Sequence, residues 1–194
     1  MSALRLHTGE LAARLPGLRA GDRVLLSGTI YTARDAAHKR LFELLDAGKP
    51  LPFELKGAAI YYAGPTPGQQ GMAVGACGPT TSGRMDAFAP RLLDLGLAAM
   101  IGKGERNREV ADAIVRNGAC YFAAVGGAGA LIARCIETAE VIAFDDLGCE
   151  SVKRMGVRDL PLTVAIDSLG NDLYKQGRGL YGAKPSGGPA DTCP

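Results

Sequence analysis

Short apolar runs alternating with helical stripes organise this chain. Glu10–Leu15 reads as a short helix stopped by Pro16-Gly17. Asp22–Ile30, rich in Val, Leu and Ile, reads as a strand that breaks at Gly28. Thr32 then opens a helix: Thr32 to Asp35 fits the Ser/Thr-x-x-Asp/Glu capping box, and Arg34–Leu41 continues at helical period. Ala47–Pro52 is a turn-rich break. Ala58–Ala63 is a strand closed by Gly64-Pro65, and Met72–Cys77 is expected to pair with it, leaving Gly78–Ser82 as a loop. Arg84–Leu97 carries a helical stripe of Phe88, Leu92, Leu93 and Leu95.

From there the pattern alternates regularly. Strand Ala98–Ile101, helix Arg108–Asn117, strand Cys120–Val125, helix Ala128–Ile136 and strand Glu140–Phe144 follow one another, with Gly118 as the C-cap of the second helix. A last strand, Leu162–Asp167, precedes Gly170-Asn171. This order predicts an α/β protein with a parallel or mixed sheet and flanking helices. The first half supplies strands without intervening helices, which argues against a purely doubly wound sheet. One domain over residues 1–182 is expected, followed by a flexible tail over 183–194.

Composition narrows the function classes. The chain has 194 residues, 47% of them apolar, with 27 Gly, which fits a loop-rich globular protein. The net charge of +2 and the lack of any long Lys/Arg block give no sign of a nucleic-acid partner. No apolar run approaches the roughly 18 residues of a membrane span, and Met1–Arg14 has no secretory apolar core. A cytoplasmic location without membrane or nucleic-acid partners is therefore expected. The five cysteines (Cys77, Cys120, Cys135, Cys149, Cys193) are odd in number and far apart, with no C-x-x-C pair. That spacing argues against a disulfide framework or a zinc ribbon, and buried inert thiols are expected instead.

Three loops carry the candidate chemistry. Each follows an apolar run and joins a cation to Gly, and in the first two also to hydroxyls: Ser27-Gly28-Thr29 through Thr32-Ala33-Arg34-Asp35, Gly78–Asp86, and Ile101-Gly102-Lys103-Gly104-Glu105-Arg106. Cations with hydroxyls and accessible backbone N–H groups suit oxyanions, so one site for a small, multiply charged anion is expected. Arg34 and His38 stand four apart on one helix face, and Asp35 and Lys39 on the next. A cation in a first helical turn opposes the helix dipole, which an arriving anion would relieve. In Gly78–Asp86, one of Thr80, Thr81 and Ser82 is expected to cap the following helix, freeing the others for a ligand. Arg84 again occupies a first turn.

Other motifs are weaker. Gly102-Lys103-Gly104 lacks the Walker A spacing, and Gly126-Gly127-Ala128-Gly129 lacks that of a dinucleotide loop. Asp145, Asp146 and Asp167 lie at strand ends, where caps and turns are the ordinary use of Asp. His38 is the one usable imidazole, since His7 falls in the loose N-terminal segment. This removes Ser/His/Asp triads and multi-His zinc sites.

Taken together, the run Ser27–Arg40, the run Gly78–Asp86, Gly102-Lys103-Gly104 and Ala165–Leu173 resemble the beta subunit of the iron–sulfur class I fumarases and of L(+)-tartrate dehydratase. The likeness runs from about Gly21 to Tyr174, and Thr29–Arg34 reads closer to fumarase. The resemblance implies a swivelling β/β/α domain and reversible hydration of fumarate to L-malate. It implies a 4Fe-4S cluster held by an alpha subunit and not by this chain, in a hetero-oligomer acting on a small dicarboxylate. It further implies that Arg34, Arg84 and Lys103, with Thr81, bind the carboxylates. Thr80 is the position it suggests for the base, with Lys103 and His38 as further candidates; an alcohol needs strong activation for that role. Tartrate dehydration, or plain binding of a dicarboxylate or nucleotide, are the competing readings.

Overall fold

A seven-stranded mixed sheet carries the fold, and it closes on itself. The structure is a computed structural model and describes residues 3–182. Its elements are β1 (Leu4–His7), α1 (Leu11–Arg14), β2 (Arg23–Thr32), α2 (Asp35–Asp46), β3 (Ala59–Tyr61), α3 (Ala89–Asp94) and β4 (Ala99–Gly102). These are followed by α4 (Arg108–Asn117), β5 (Cys120–Ala123), α5 (Gly129–Ala133), β6 (Ile136–Ala143), β7 (Val152–Ile166) and α6 (Leu173–Tyr181). The strand order is β1-β2-β3-β4-β5-β7-β6, and β2 also pairs with β7, so β2, β3, β4, β5 and β7 form a closed ring. Strands β1 to β5 pair in parallel, whereas β7 runs antiparallel to β2, β5 and β6.

Two-residue periodicity divides the core in two. Along β3 to β5, Ala59, Tyr61, Ala99, Ile101, Cys120 and Phe122 face the ring interior, where α1 and α5 close the ends with Leu11 and Ile132. Ile60, Met100 and Tyr121 face outward onto Leu41 of α2, Leu92 of α3 and Ile114 of α4. The result is the β/β/α layering that the sequence resemblance implies. β7 keeps its apolar side inward over 15 residues by a change of parity: Met155 and Val157 point in, then Leu160, Leu162 and Val164. The register against β2 slips by one residue between Gly28↔Val157 and Leu26↔Leu160, and Asp159 at φ +50° makes the bulge. Ser27 Oγ accepts the Asp159 N–H at 3.0 Å, satisfying the donor the bulge would strand.

Several expectations need correction. Thr32 does not cap α2; it ends β2, where its hydroxyl donates to Ser151 O and accepts from Lys153 N, and the helix starts at Asp35 without a side-chain cap. β2 does not break at Gly28 but runs through it, at φ +111°. Met72–Cys77 forms no strand among the described residues, because Thr66 and Gly75–Ala76 hydrogen-bond into a local loop instead. Arg84–Leu97 splits into a 3-10 turn over Ser82–Met85 and the shorter α3, with Pro90 in its first turn. His7 is not loose: it is the last residue of β1, and its Nδ1 accepts from Gly9 N. The expected tail 183–194 lies outside the described residues. No described helix is long and apolar enough to cross a membrane.

Gly28 tests the closure. A Cβ there would collide with Thr8 Oγ1 and press on His7, at a backbone angle L-residues avoid. Gly28→Ala is expected to lower stability by about 1–3 kcal/mol in denaturant titrations. An unchanged midpoint would show that β1 and the Thr8 turn are not packed as described.

Candidate active site

Because β2 to β5 are parallel, their C-terminal ends leave the sheet at one rim, and the three cationic loops all start there. Arg34 follows β2 and stands at the N-cap position of α2. Beyond β3, Tyr62 O accepts the Thr80 N–H at 2.7 Å, and Ala63 and Pro79 form an antiparallel bridge. Beyond β4, Thr81 pairs in parallel with Lys103: Lys103 N donates to Thr80 O at 3.3 Å, and Ser82 N donates to Lys103 O at 2.8 Å. The hydroxyl loop is thereby laced between the ends of β3 and β4. Beyond β5, Gly126 lies beside Lys103; a Cβ there would come 3.4 Å from Lys103 Cδ.

The two arginines reach the same rim from different elements. Arg84 Nε donates to Asp35 Oδ1 at 2.8 Å, which joins the Ser82–Met85 turn to the start of α2. Arg34 Nη2 lies 3.3 Å from Glu150 Oε1, and Arg34 Nε is buried without a hydrogen-bond partner. Glu150 Oε2 also accepts the Ala36 N–H at the N-terminus of α2, where helix polarity favours a negative charge. Lys103, Thr81 and Arg84 are exposed, and Thr80 is half-buried, so the rim is open to a ligand. The sequence pairing of Asp35 with Lys39 is replaced by the Asp35–Arg84 contact. No hydroxyl caps the Ser82–Met85 turn; instead Tyr121 Oη sits 2.9 Å from both Ser82 Oγ and Gly104 O.

Under the rim lies a buried layer that the sequence did not announce. The Arg106 side chain is fully buried; its Nε donates to Asp86 Oδ1 at 2.6 Å, and its guanidinium stacks 5.4 Å from the Tyr62 ring and 5.0 Å from that of Tyr121. Asp86 Oδ2 accepts the Asn107 N–H at 2.7 Å. This pair ties the loop after β4 to the loop after β3, and so fixes Lys103 against Thr80 and Thr81. Tyr174 of α6 adds a contact from its hydroxyl to Gly104 N at 3.1 Å. The one sequence signal for the pair was two opposite charges ending loops that border apolar runs.

His38 departs from its expected role. Its ring is fully buried between Tyr62 and Phe88, and Nδ1 donates to Arg34 O at 2.9 Å. Burial pushes its pKa down to about 4, so the imidazole is neutral and closed to the rim. It supports the backbone of Arg34 and cannot touch a substrate there.

The remaining motifs serve packing. Cys77 N donates to Gly129 O, and a Cβ on Gly129 would approach Gly78 N to 3.1 Å, so this glycine lets two loops meet. Asp167 accepts from Ala20, Leu169 and Asn171 and shapes a turn. Among the described residues, no three His, Cys, Asp or Glu converge in a way that suits a metal.

Residues 1–177 match the family described as Fumarase C-terminus. Over 169 residues the chain is 40% identical to "Fumarate hydratase class I, anaerobic" of Escherichia coli (strain K12), covering 86% of this chain and 31% of that protein. It is 40% identical over 175 residues to "Fumarate hydratase 2" of Leishmania major, covering 89% and 31% respectively. To "L(+)-tartrate dehydratase subunit beta" of Escherichia coli (strain K12) it is 33% identical over 181 residues, covering 91% of this chain and 89% of the subunit. The chain therefore spans about a third of the fumarate hydratases it matches and most of the tartrate dehydratase subunit.

Two measurements probe the layer beneath the rim. Asp86→Ala strands the buried Arg106 charge and is expected to cost about 3–5 kcal/mol in unfolding free energy; a loss under about 1 kcal/mol would mean Arg106 is solvated. For His38, the folded state holds the neutral form, so its contribution is complete above pH 6.5 and falls as pH drops toward 4. Stability should decline by up to about 1.4 kcal/mol per pH unit in that window, and His38→Gln should flatten the slope. An identical slope in the variant would refute the burial.

Proposed function

From the premise that the chain belongs to the fumarase C-terminal family, we propose that it is the beta subunit of a 4Fe-4S-dependent hydro-lyase that hydrates fumarate to L-malate reversibly. Likeness to a tartrate dehydratase beta subunit, 89% of which the chain covers, supports an alpha-type partner. Identities to fumarate hydratases (37–41%) overlap those to tartrate dehydratase beta subunits (33–38%), so the choice of fumarate rests on the run Thr29–Arg34, which reads closer to fumarase. A cytoplasmic location goes with this reading.

The cysteines among the described residues do not fit the cluster. Burial pushes the Cys77 thiol up to about 12 and the Cys120 thiol upward as well, which disfavours the thiolates a cluster needs. Cys135 is half-buried and Cys149 exposed, and among the described residues no three potential ligands converge. The cluster is therefore assigned to the alpha partner.

What this chain supplies is charge and position. Arg34, Arg84 and Lys103, with the Thr81 hydroxyl, hold the two carboxylates of the substrate and neutralise the charge that builds up when a proton leaves the carbon beside one of them. Fixed guanidinium forks suit carboxylates pairwise. Thr80, held between Tyr62 and Lys103 by its backbone, is the group at the base position, a role an alcohol fills only when strongly activated. The single observation that carries the reading is the lacing of Thr80 and Thr81 to Lys103 at the rim where Arg34 and Arg84 also emerge.

Anaerobic assembly with a cluster-bearing alpha-type chain is the test. The complex is expected to hydrate fumarate, and Arg84→Ala to lower kcat/KM by about 100-fold or more with an unchanged fold. An intact, cluster-loaded complex that leaves fumarate untouched would overturn the proposal. Tartrate dehydration by that complex would move it to the tartrate branch.

A further inference from the structure

Arg84 meets Asp35 through one nitrogen. Its Nε donates to Asp35 Oδ1 at 2.8 Å, an edge contact, and among the described residues neither Nη of the fork has a hydrogen-bond partner. That pair of nitrogens is the one that grips a carboxylate end-on. Asp35 is itself well fixed. It is the first residue of the 12-residue helix α2, where a negative charge is favoured, and its Oδ2 is buried without a hydrogen-bond partner. The Asp35 side chain is 26% exposed against 51% for Arg84, so the carboxylate is the anchored member and the guanidinium the projecting one.

The placement is odd for a simple anion site. A carboxylate beside a cation that binds dianions cancels part of its charge, and Coulomb attraction alone would select against it. We propose that Asp35 is a positioning residue: it holds Arg84 by Nε so that the Nη edge faces the substrate carboxylate. The role rests on the reading of Arg84 as a carboxylate clamp. It makes a prediction opposite in sign to charge arithmetic. Removing the Asp35 charge should weaken dicarboxylate binding, because Arg84 loses its fixed direction and must be ordered by the substrate itself.

The test is a double-mutant cycle on the assembled, cluster-loaded complex, read as kcat and KM for fumarate. Asp35→Ala is expected to raise KM about tenfold with a smaller effect on kcat, and Asp35→Asn, which keeps an acceptor at Oδ1, to recover part of it. In an Arg84→Ala background, Asp35→Ala should change kcat/KM by less than about twofold. An equal loss in both backgrounds would reduce Asp35 to a helix-start residue, and a lowered KM would make it a counter-ion that competes with substrate; either overturns the proposal. If Arg84→Ala alone leaves kcat/KM within about twofold of the parent, the clamp itself falls, and the positioning role with it.

Discussion

β2 is hydrogen-bonded along both edges, and the rim exists because of it. On one edge it pairs first with β1 and then with β3; on the other it lies against β7 from Arg23↔Thr163 to Thr32↔Lys153. The parallel run from β2 to β5 sends four strand ends out on one side, and the antiparallel β7 brings the fifth edge back to close the ring. The register at the critical end is pinned by a side chain: the Thr32 hydroxyl bridges Ser151 O and Lys153 N, two residues before Arg34. A slip of one residue there would exchange the inward and outward faces of β2 and turn Arg34 away from its neighbours.

Cations gathered on a rim repel one another, and the fold handles each differently. Arg106 is taken inside, where Asp86 and two tyrosine rings compensate the cost of desolvation. Arg34 is half-buried beside Glu150, and Arg84 stays at the surface beside Asp35 in an ion pair that contributes little to stability but fixes direction. Lys103 is left exposed, held through its backbone to Thr80 and Ser82. Neutral His38, beneath Arg34, adds support without adding charge. The buried pair gives rigidity and the exposed ones give reach.

Much of this was legible from local pattern. α4 came out at Arg108–Asn117 as read, with Asn107 at the N-cap and Gly118 left-handed at the C-terminus, because its stripe and both caps are local features. That three loops join cations to Gly was legible for the same reason, and their binding of an oxyanion is the proposal. β7 was read only over its apolar end, since Lys153, Arg154, Gly156, Arg158, Asp159 and Pro161 hide the alternation, and the bulge at Asp159 changes its parity midway. Partners distant in sequence were out of reach. Nothing near Thr32 signals that Ser151 and Lys153 will claim its hydroxyl, so a capping box was the natural reading. Asp35 was given to Lys39 by helical spacing, but folding brings Arg84, 49 positions away, to it. The depth of His38 depends on Tyr62 and Phe88, which no spacing rule connects to it.

The central claim is that one rim, built from the ends of β2 to β5, receives a small dicarboxylate. A crystal structure of the assembled complex with an unreactive saturated C4 dicarboxylate tests it most directly. One carboxylate is expected on the Nη edge of Arg84, and the ligand within hydrogen-bond distance of Lys103 and of the Thr80–Thr81 loop. A well-occupied ligand that touches none of Arg34, Arg84 and Lys103 would contradict the claim.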